Sequence, residues 1–247
     1  KLFKKILMFK KNEEPIYIGS KNGGKFLIDK EYLYNSTIVS LGAGEDISFD
    51  VEFASKYKSK VIICDPTPRA KSHFNQSILR IGKKNTLNYN FEDNQNPESY
   101  DLSDIGDNQL KYIDKAIHVS DQVKIKLFYP KNNLDVSLSM YDWTNDYKKK
   151  GKFHLCETIS LKKIINDYDL KDLPLIKFDI EGLEMPVIKD MLQNKIFPKQ
   201  LIVEFDLLYR PNLIIFFNLL IIINLLKKNN YKVINIDDDV NFLFIRE

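Results

Sequence analysis

Ile38-Val39-Ser40-Leu41-Gly42-Ala43-Gly44-Glu45-Asp46-Ile47 is the stretch from which the fold is read. A β-branched run stops at a glycine turn, and Ile47, Val51, Ala54 and Tyr57 then recur at helical spacing, so the reading is strand, turn, helix. Downstream, residues 60 to 65 form a nearly continuous apolar run, as expected of a parallel strand buried on both faces, and Asp65-Pro66-Thr67-Pro68 closes it. Residues 72 to 80 predict a helix, 113 to 119 a third strand and 123 to 129 a further one, whereas 85 to 108 lack apolar periodicity and read as loop. A helix over 159 to 168 precedes a buried strand over 174 to 180 that ends at Glu181-Gly182. A helix over 185 to 192, a strand over 200 to 206 and a long apolar helix over 213 to 226 follow. The runs 231 to 236 and 241 to 246 flank Asp237-Asp238-Asp239 as a closing hairpin. The alternation predicts an α/β fold with a mostly parallel, doubly wound sheet and a C-terminal antiparallel hairpin. Upstream, Asn22-Gly23-Gly24 between two short apolar runs predicts another hairpin, which places an N-terminal extension over 1–36 and the main domain over 37–247.

Composition narrows the function. The chain of 247 residues suits one buried core. Its net charge of +3 rests on 33 lysines and only four arginines, and nucleic-acid surfaces draw on Arg for bidentate contacts, so no nucleic-acid partner is expected. Cys64 and Cys156 have no metal-ligand spacing and fit a reducing, cytoplasmic setting; His73, His118 and His154 are scattered. The run Leu213 to Leu226 holds Asn218 and Asn224 and is shorter than the roughly 20 residues of a membrane span, so a buried or half-buried core helix is expected and no transmembrane segment. Lys1 to Lys11 is basic and amphipathic; weak membrane-surface contact is open to it, with a solvated leader the preferred reading. A first residue other than Met suggests a piece of a longer protein.

Gly42-Ala43-Gly44 lets a ligand approach the backbone, and Asp65, 23 positions on from Gly42 at the next strand end, can accept ribose hydroxyls. The pair points to an adenosyl cofactor, against the plainer reading of a tight turn and a loop cap. Asp179, Glu181, Glu184, Glu204 and Asp206 fall at two neighbouring strand ends, where ligands of open α/β sheets bind. Burial and mutual repulsion should raise the pKa of one of them enough to serve as a base, with Asp179 and Glu181 the first choices. Helix caps and solvated loop ends are the alternative for each. Asn132, Asn133, Ser137, Ser139 and His154 are polar candidates for acceptor contacts, and Trp143 for stacking on a sugar, although turn chemistry for the former and core packing for the latter are the preferred readings.

These residues carry a resemblance. Leu41-Gly42-Ala43-Gly44-Glu45-Asp46-Ile47-Ser48-Phe49-Asp50, with Asp65-Pro66-Thr67-Pro68, resembles the cofactor half of FkbM-type methyltransferases. Ile176-Lys177-Phe178-Asp179-Ile180-Glu181-Gly182-Leu183-Glu184 is similar to the family's more distinctive K-[IFL]-D-[IV]-E-G-x-E signature. Asn22-Gly23-Gly24, Tyr129 to Asn132 with Val136 to Ser139, and Leu201 to Phe205 extend the likeness over about residues 16 to 246. The resemblance implies a class I, Rossmann-like enzyme that uses S-adenosylmethionine (SAM) to methylate a hydroxyl of a sugar, glycan or related small molecule. It implies cofactor contacts at Gly42, Ala43, Gly44, Glu45, Asp46, Asp65, Pro66, Thr67 and Ala116, and acceptor contacts at Ser137, Glu184, Glu204 and Asp206. Departures are Ser40 where most relatives carry an acid, Asp46 at a common glycine position, Asn22 for the hairpin acid and Asp206 where many relatives have His. An NAD-dependent oxidoreductase also fits the glycine turn with Asp65, but the third glycine of G-x-G-x-x-G is missing. A non-catalytic SAM-binding module is the third reading, which the retained carboxylates oppose. Whether a divalent cation joins Asp179, Glu181 and Asp206, and the oligomeric state, stay open.

Overall fold

Three short parallel strands bring the chemistry together. They are β3 (Thr37–Leu41), β4 (Lys60–Cys64) and β9 (Leu175–Phe178) in a computed structural model that describes residues 14–91, 94–130, 137–141 and 152–247. Leu41 pairs with Cys64 on one side and Phe178 on the other, so Gly42, Asp65 and Asp179 emerge side by side. The whole sheet has seven strands in the order β11-β12-β10-β9-β3-β4-β5, with β5 at Leu110–Ile113, β10 at Gln200–Glu204, β11 at Tyr231–Asp237 and β12 at Asn241–Arg246. β5, β4, β3, β9 and β10 are parallel, and β12 runs antiparallel to both β10 and β11. From β3 the chain builds outward through β4 and β5, then returns to build the other way through β9 and β10. The crevice beyond β3 and β9 is therefore the switch point at which ligands of such sheets bind.

Both faces are covered, which explains the continuous apolar strands. Along β4, Val61 and Ile63 join one core with Phe49, Phe53 and Tyr57 of α1 (Ser48–Tyr57), while Ile62 and Cys64 join the other. That second core holds Val187, Ile188 and Met191 of α4 (Glu184–Gln193) and Leu219, Ile222 and Leu226 of α5 (Leu213–Lys228). Local signals set the helix starts. Thr67 accepts from the Ala70 N–H with Pro68 following, so α2 (Pro68–Ile78) begins four residues before the apolar spacing alone suggests.

The structure differs from the expectations in the middle of the chain. The single strand expected over 113 to 119 is divided: β5 ends at Ile113, and Ala116–Ile117 (β6) pairs with Phe153–Ile159 (β8) in a separate three-stranded sheet. β8 also takes the expected strand near 123 to 129, seen as β7 (Lys124–Phe128), in antiparallel pairing. The sequence reading missed β8, whose burial is irregular, and its terminal Ile159 was assigned to the helix that begins at Leu161 (α3, Leu161–Asp167). Asp206 lies in a 3-10 turn, Asp206–Tyr209, after β10 rather than in the strand. Leu213, Ile214, Phe217 and Ile221 of α5 are exposed, so that helix is half-buried. Among the described residues no helix is long and apolar enough to cross a membrane.

The N-terminal hairpin, β1 (Ile16–Ile18) with β2 (Lys25–Leu27), packs onto this domain. Gln200 accepts from the Ile28 N–H and donates to the Ile28 carbonyl, and Ser48 Oγ accepts from the Ser20 N–H. The leader at 1 to 11, Asn132, Asn133 and Trp143 lie outside the described residues.

Candidate active site

The cleft at the carboxyl ends of β3, β4, β9 and β10 has a volume of about 370 Å³. Its floor is set by Gly42, at φ +85°, where a Cβ would stand 1.7 Å from the Asp179 carbonyl oxygen; only glycine lets β3 and β9 close to this distance. Gly42 N–H donates to the Cys64 carbonyl, and Lys177 Nζ donates to the Gly42 carbonyl at 2.7 Å. The turn is thus held on both sides.

Every residue assigned above to the cofactor lines this cleft: Gly42, Ala43, Gly44, Glu45, Asp46, Asp65, Pro66, Thr67 and Ala116. Asp65 Oδ2 accepts from the N–H groups of Ala43 and Gly44 at 2.9 and 3.0 Å, and Oδ1 from that of Thr67 at 2.7 Å. The carboxylate therefore braces the glycine turn as well as facing the cleft. Asp46 is tied down too, accepting from Ser20 Oγ at 2.5 Å and from the Ser48 N–H at 2.9 Å. A Cβ on Gly23 would meet the Asp46 carboxyl carbon at 2.4 Å, so the hairpin turn lies directly on the cofactor loop. Glu45 pairs with Arg69 at 2.5 Å.

Asp179, Glu181, Glu204, Asp206 and Ser137 line the other end. Glu184 does not: it is wholly buried behind the cleft, where Oε1 accepts from the Gly182 N–H and Oε2 faces Asp206 without a donor of its own. Ser139 donates to the Glu181 carbonyl at 2.6 Å and so anchors the backbone of the base candidate rather than an acceptor. His73 is buried against Tyr100, and neither it nor His118 or His154 lines the cleft.

Two buried lysines organise these acids. Lys25, on β2, pairs with Glu204 and lies 3.3 Å from Asp179 Oδ2 and 3.0 Å from Asn241 Oδ1; Lys177 lies 3.7 Å from Asp179 Oδ2. Burial alone would raise the Asp179 pKa, but Lys25 and Lys177 together hold it below the ordinary carboxylate value. Glu181 has no such partner. Burial pushes it up to about 8, against a lowering contact from Ser137, with Asp179, Glu184 and Glu204 adding to the rise. Burial likewise lifts Glu184 to about 7 and Asp206 well above its usual range, and these two carboxyls face each other. One proton shared between the two carboxyls would satisfy the oxygens that lack donors, Glu184 Oε2 and Asp206 Oδ2. Glu181 itself sits at φ +56°, a left-handed conformation that turns it out of the strand direction.

The sequence reading missed Lys25. A lysine immediately after a Gly-Gly turn carries no signal of burial, and only the tertiary contact of β2 with β10 reveals it. One oxygen each of Asp179, Glu181 and Asp206 lies within 4.8 Å of the others, close enough for a divalent cation to bridge them.

No match to the chain was found among curated proteins or among solved structures. The family described as Methyltransferase FkbM domain matches residues 40–233, which takes in the end of β3, the glycine turn, Asp65, the 179–184 carboxylates and α5. The hairpin with Lys25 falls before the matched segment. On a match over most of its length, and with the mostly parallel sheet ending in an antiparallel hairpin, the chain belongs to the FkbM methyltransferase family.

Proposed function

We propose that this methyltransferase takes its methyl group from SAM and transfers it to a hydroxyl oxygen of a sugar, glycan or related small acceptor. The observation that carries the choice of donor is the charge of the cleft. Glu45, Asp46, Asp65, Asp179, Glu181, Glu204 and Asp206 line it against Lys177; with Glu181 and Asp206 protonated, and with Lys25 and Arg69 set against Asp179, Glu204 and Glu45, five acids still face three cations. Such a lining attracts a sulfonium cation and repels the pyrophosphate of a nicotinamide dinucleotide. The oxidoreductase reading loses its support on that ground.

When bound, SAM supplies an electrophilic methyl carbon. The backbone of Gly42 to Asp46 would hold its amino-acid end, and Asp65, Pro66, Thr67 and Ala116 its adenosine. A carboxylate offers about four acceptor sites, and Asp65 already uses three on backbone N–H groups. It has one left, so it takes one ribose hydroxyl without releasing the loop.

Glu181 is the residue we assign to the acceptor's proton, because a carboxyl that ionises near pH 8 is well matched to removing a hydroxyl proton at neutral to mildly alkaline pH. Asp179, held ionised by Lys25 and Lys177, is a poorer proton acceptor and is better suited to orienting the acceptor through a hydrogen bond. Glu204, Asp206 and Ser137 complete the acceptor end, while Glu184 supports Asp206 from behind. A carboxyl shifted this far from its ordinary pKa and lining the cleft favours a catalytic site over a non-catalytic module.

Thermal unfolding with SAM, S-adenosylhomocysteine and NAD tests the donor. SAM and S-adenosylhomocysteine should raise the midpoint and NAD should not. Stabilisation by NAD alone would refute the reading.

A further inference from the structure

Helix α5 is apolar on two faces, and among the described residues only one of them is packed against the core. Leu219, Ile222, Ile223 and Leu226 enter the core, while Leu213, Ile214, Phe217 and Ile221 remain 76, 73, 60 and 56% exposed. Ile214, Phe217 and Ile221, spaced three and four apart, form one stripe on the helix. A surface helix of a globular domain normally carries polar residues there. An exposed apolar patch of this kind marks a contact surface.

Charge identifies the partner. From Leu207 to Ile236 the sequence contains Arg210, Lys227, Lys228 and Lys232 and not a single acid. Lys232 is paired with Glu247, but Lys227 and Lys228 are exposed and enter no ion pair among the described residues. Lys228, seven residues beyond Ile221, continues the stripe. With 16 residues the helix is about 24 Å long, short of the ~30 Å hydrocarbon layer, so it can lie along a bilayer but not cross it.

We propose that the exposed face of α5 docks on an anionic lipid surface, with Leu213, Ile214, Phe217 and Ile221 entering the headgroup boundary and Lys227 and Lys228 meeting acidic headgroups. Apolar area and cationic flank are the two components of interfacial binding. Tyr209, four residues before the helix, lines the cleft and donates to Glu204 at 2.9 Å, so docking holds the cleft beside the bilayer.

The test is co-sedimentation of the full chain with vesicles of phosphatidylcholine alone or mixed with phosphatidylglycerol, which needs no methyl donor and so succeeds or fails independently of the catalytic reading. Binding should favour the mixed vesicles and weaken in high salt. The double variant Ile214→Glu/Phe217→Glu should lose it. Lys227→Ala/Lys228→Ala should bind mixed vesicles about thirty-fold more weakly, from the contribution of each lysine near an anionic surface. Unchanged circular dichroism is expected for both, because the altered side chains are exposed. Vesicle binding that survives the glutamates would assign it to the basic segment Lys1 to Lys11 and overturn the proposal. Absence of vesicle binding by the unaltered chain, with a concentration-dependent dimer that the glutamates abolish, would overturn it in favour of a second copy.

Discussion

Replacing Glu181 by Gln should make the protein more stable and nearly inactive, and the stability gain should depend on pH in a way that identifies the cause. In the fold the Glu181 carboxyl stays protonated to about pH 8, whereas in the unfolded chain it ionises near its ordinary value of 4.5. Between those values the native state binds the additional proton, so stability falls as pH rises through this window and levels off above it. The shift is between three and four pKa units. At about 1.4 kcal/mol per unit this would be about 4–5 kcal/mol if the group were wholly sealed. Glu181 is only half-buried at the edge of the cleft, and solvent reduces the figure to about 2–3 kcal/mol. Glutamine keeps the shape and cannot ionise. Urea unfolding should therefore show little difference between Glu181→Gln and the unaltered protein at pH 5, and an advantage of about 2–3 kcal/mol for the variant at pH 8.5. Turnover on an identified acceptor should fall by about 10²–10⁴-fold with SAM affinity retained. A variant equally stable or less stable at both pH values would refute the burial argument. Full turnover would remove Glu181 as the base and leave Asp206 as the next carboxyl with a raised pKa.

Three further outcomes follow from the same geometry. Lys25→Met leaves Asp179 and Glu204 facing each other without their shared cation and should cost about 3 kcal/mol in urea unfolding at pH 7. That cost should shrink at pH below about 4, because the depressed pKa of Asp179 makes the pair's contribution present above the unfolded value and lost as pH falls through the folded one. Asp65→Ala should weaken S-adenosylhomocysteine binding by about 1–3 kcal/mol in calorimetry. Gly42→Ala, whose Cβ would overlap the Asp179 carbonyl, should fail to fold stably, as seen by circular dichroism.

What could be read in the sequence is what local physics controls. β3, the glycine turn, β4 and β9 announce themselves because strands buried on both faces need nearly continuous apolar runs, and Asp65 and Asp179 stand out because each directly follows such a run. The small sheet was hidden for the opposite reason. β7 and β8 are largely exposed, so their pattern is weak and their pairing with β6 depends on tertiary contact. The position of Glu184 was misleading because its spacing from Asp179 and Glu181 suggests the cleft, whereas the first turn of α4 carries it into the core. Asp65 was legible as a cleft residue, but its three backbone bonds were not, since they come from a turn 21 to 22 positions earlier and one residue close by.

Lys25 shows most clearly how the charge of this site depends on a segment that precedes the matched residues. Five carboxylates converge at the ends of β9 and β10, a concentration of charge that would destabilise the fold if all were ionised. The chain resolves this in two ways. Near Asp179 and Glu204 it supplies a lysine from the hairpin and another from β9, and Asp179 stays ionised. Around Glu181, Glu184 and Asp206 it supplies none, and protons take the place of cations. The boundary between the two halves falls between Asp179 and Glu181, two residues apart on the same strand end. A carboxylate that stays charged and a carboxyl that releases its proton only near pH 8 are thereby set next to each other; the first suits the proposed orienting of a hydroxyl, and the second, once ionised, its proposed deprotonation. Without the hairpin that division would rest on Lys177 alone, and Asp179 would move toward the proton-holding side.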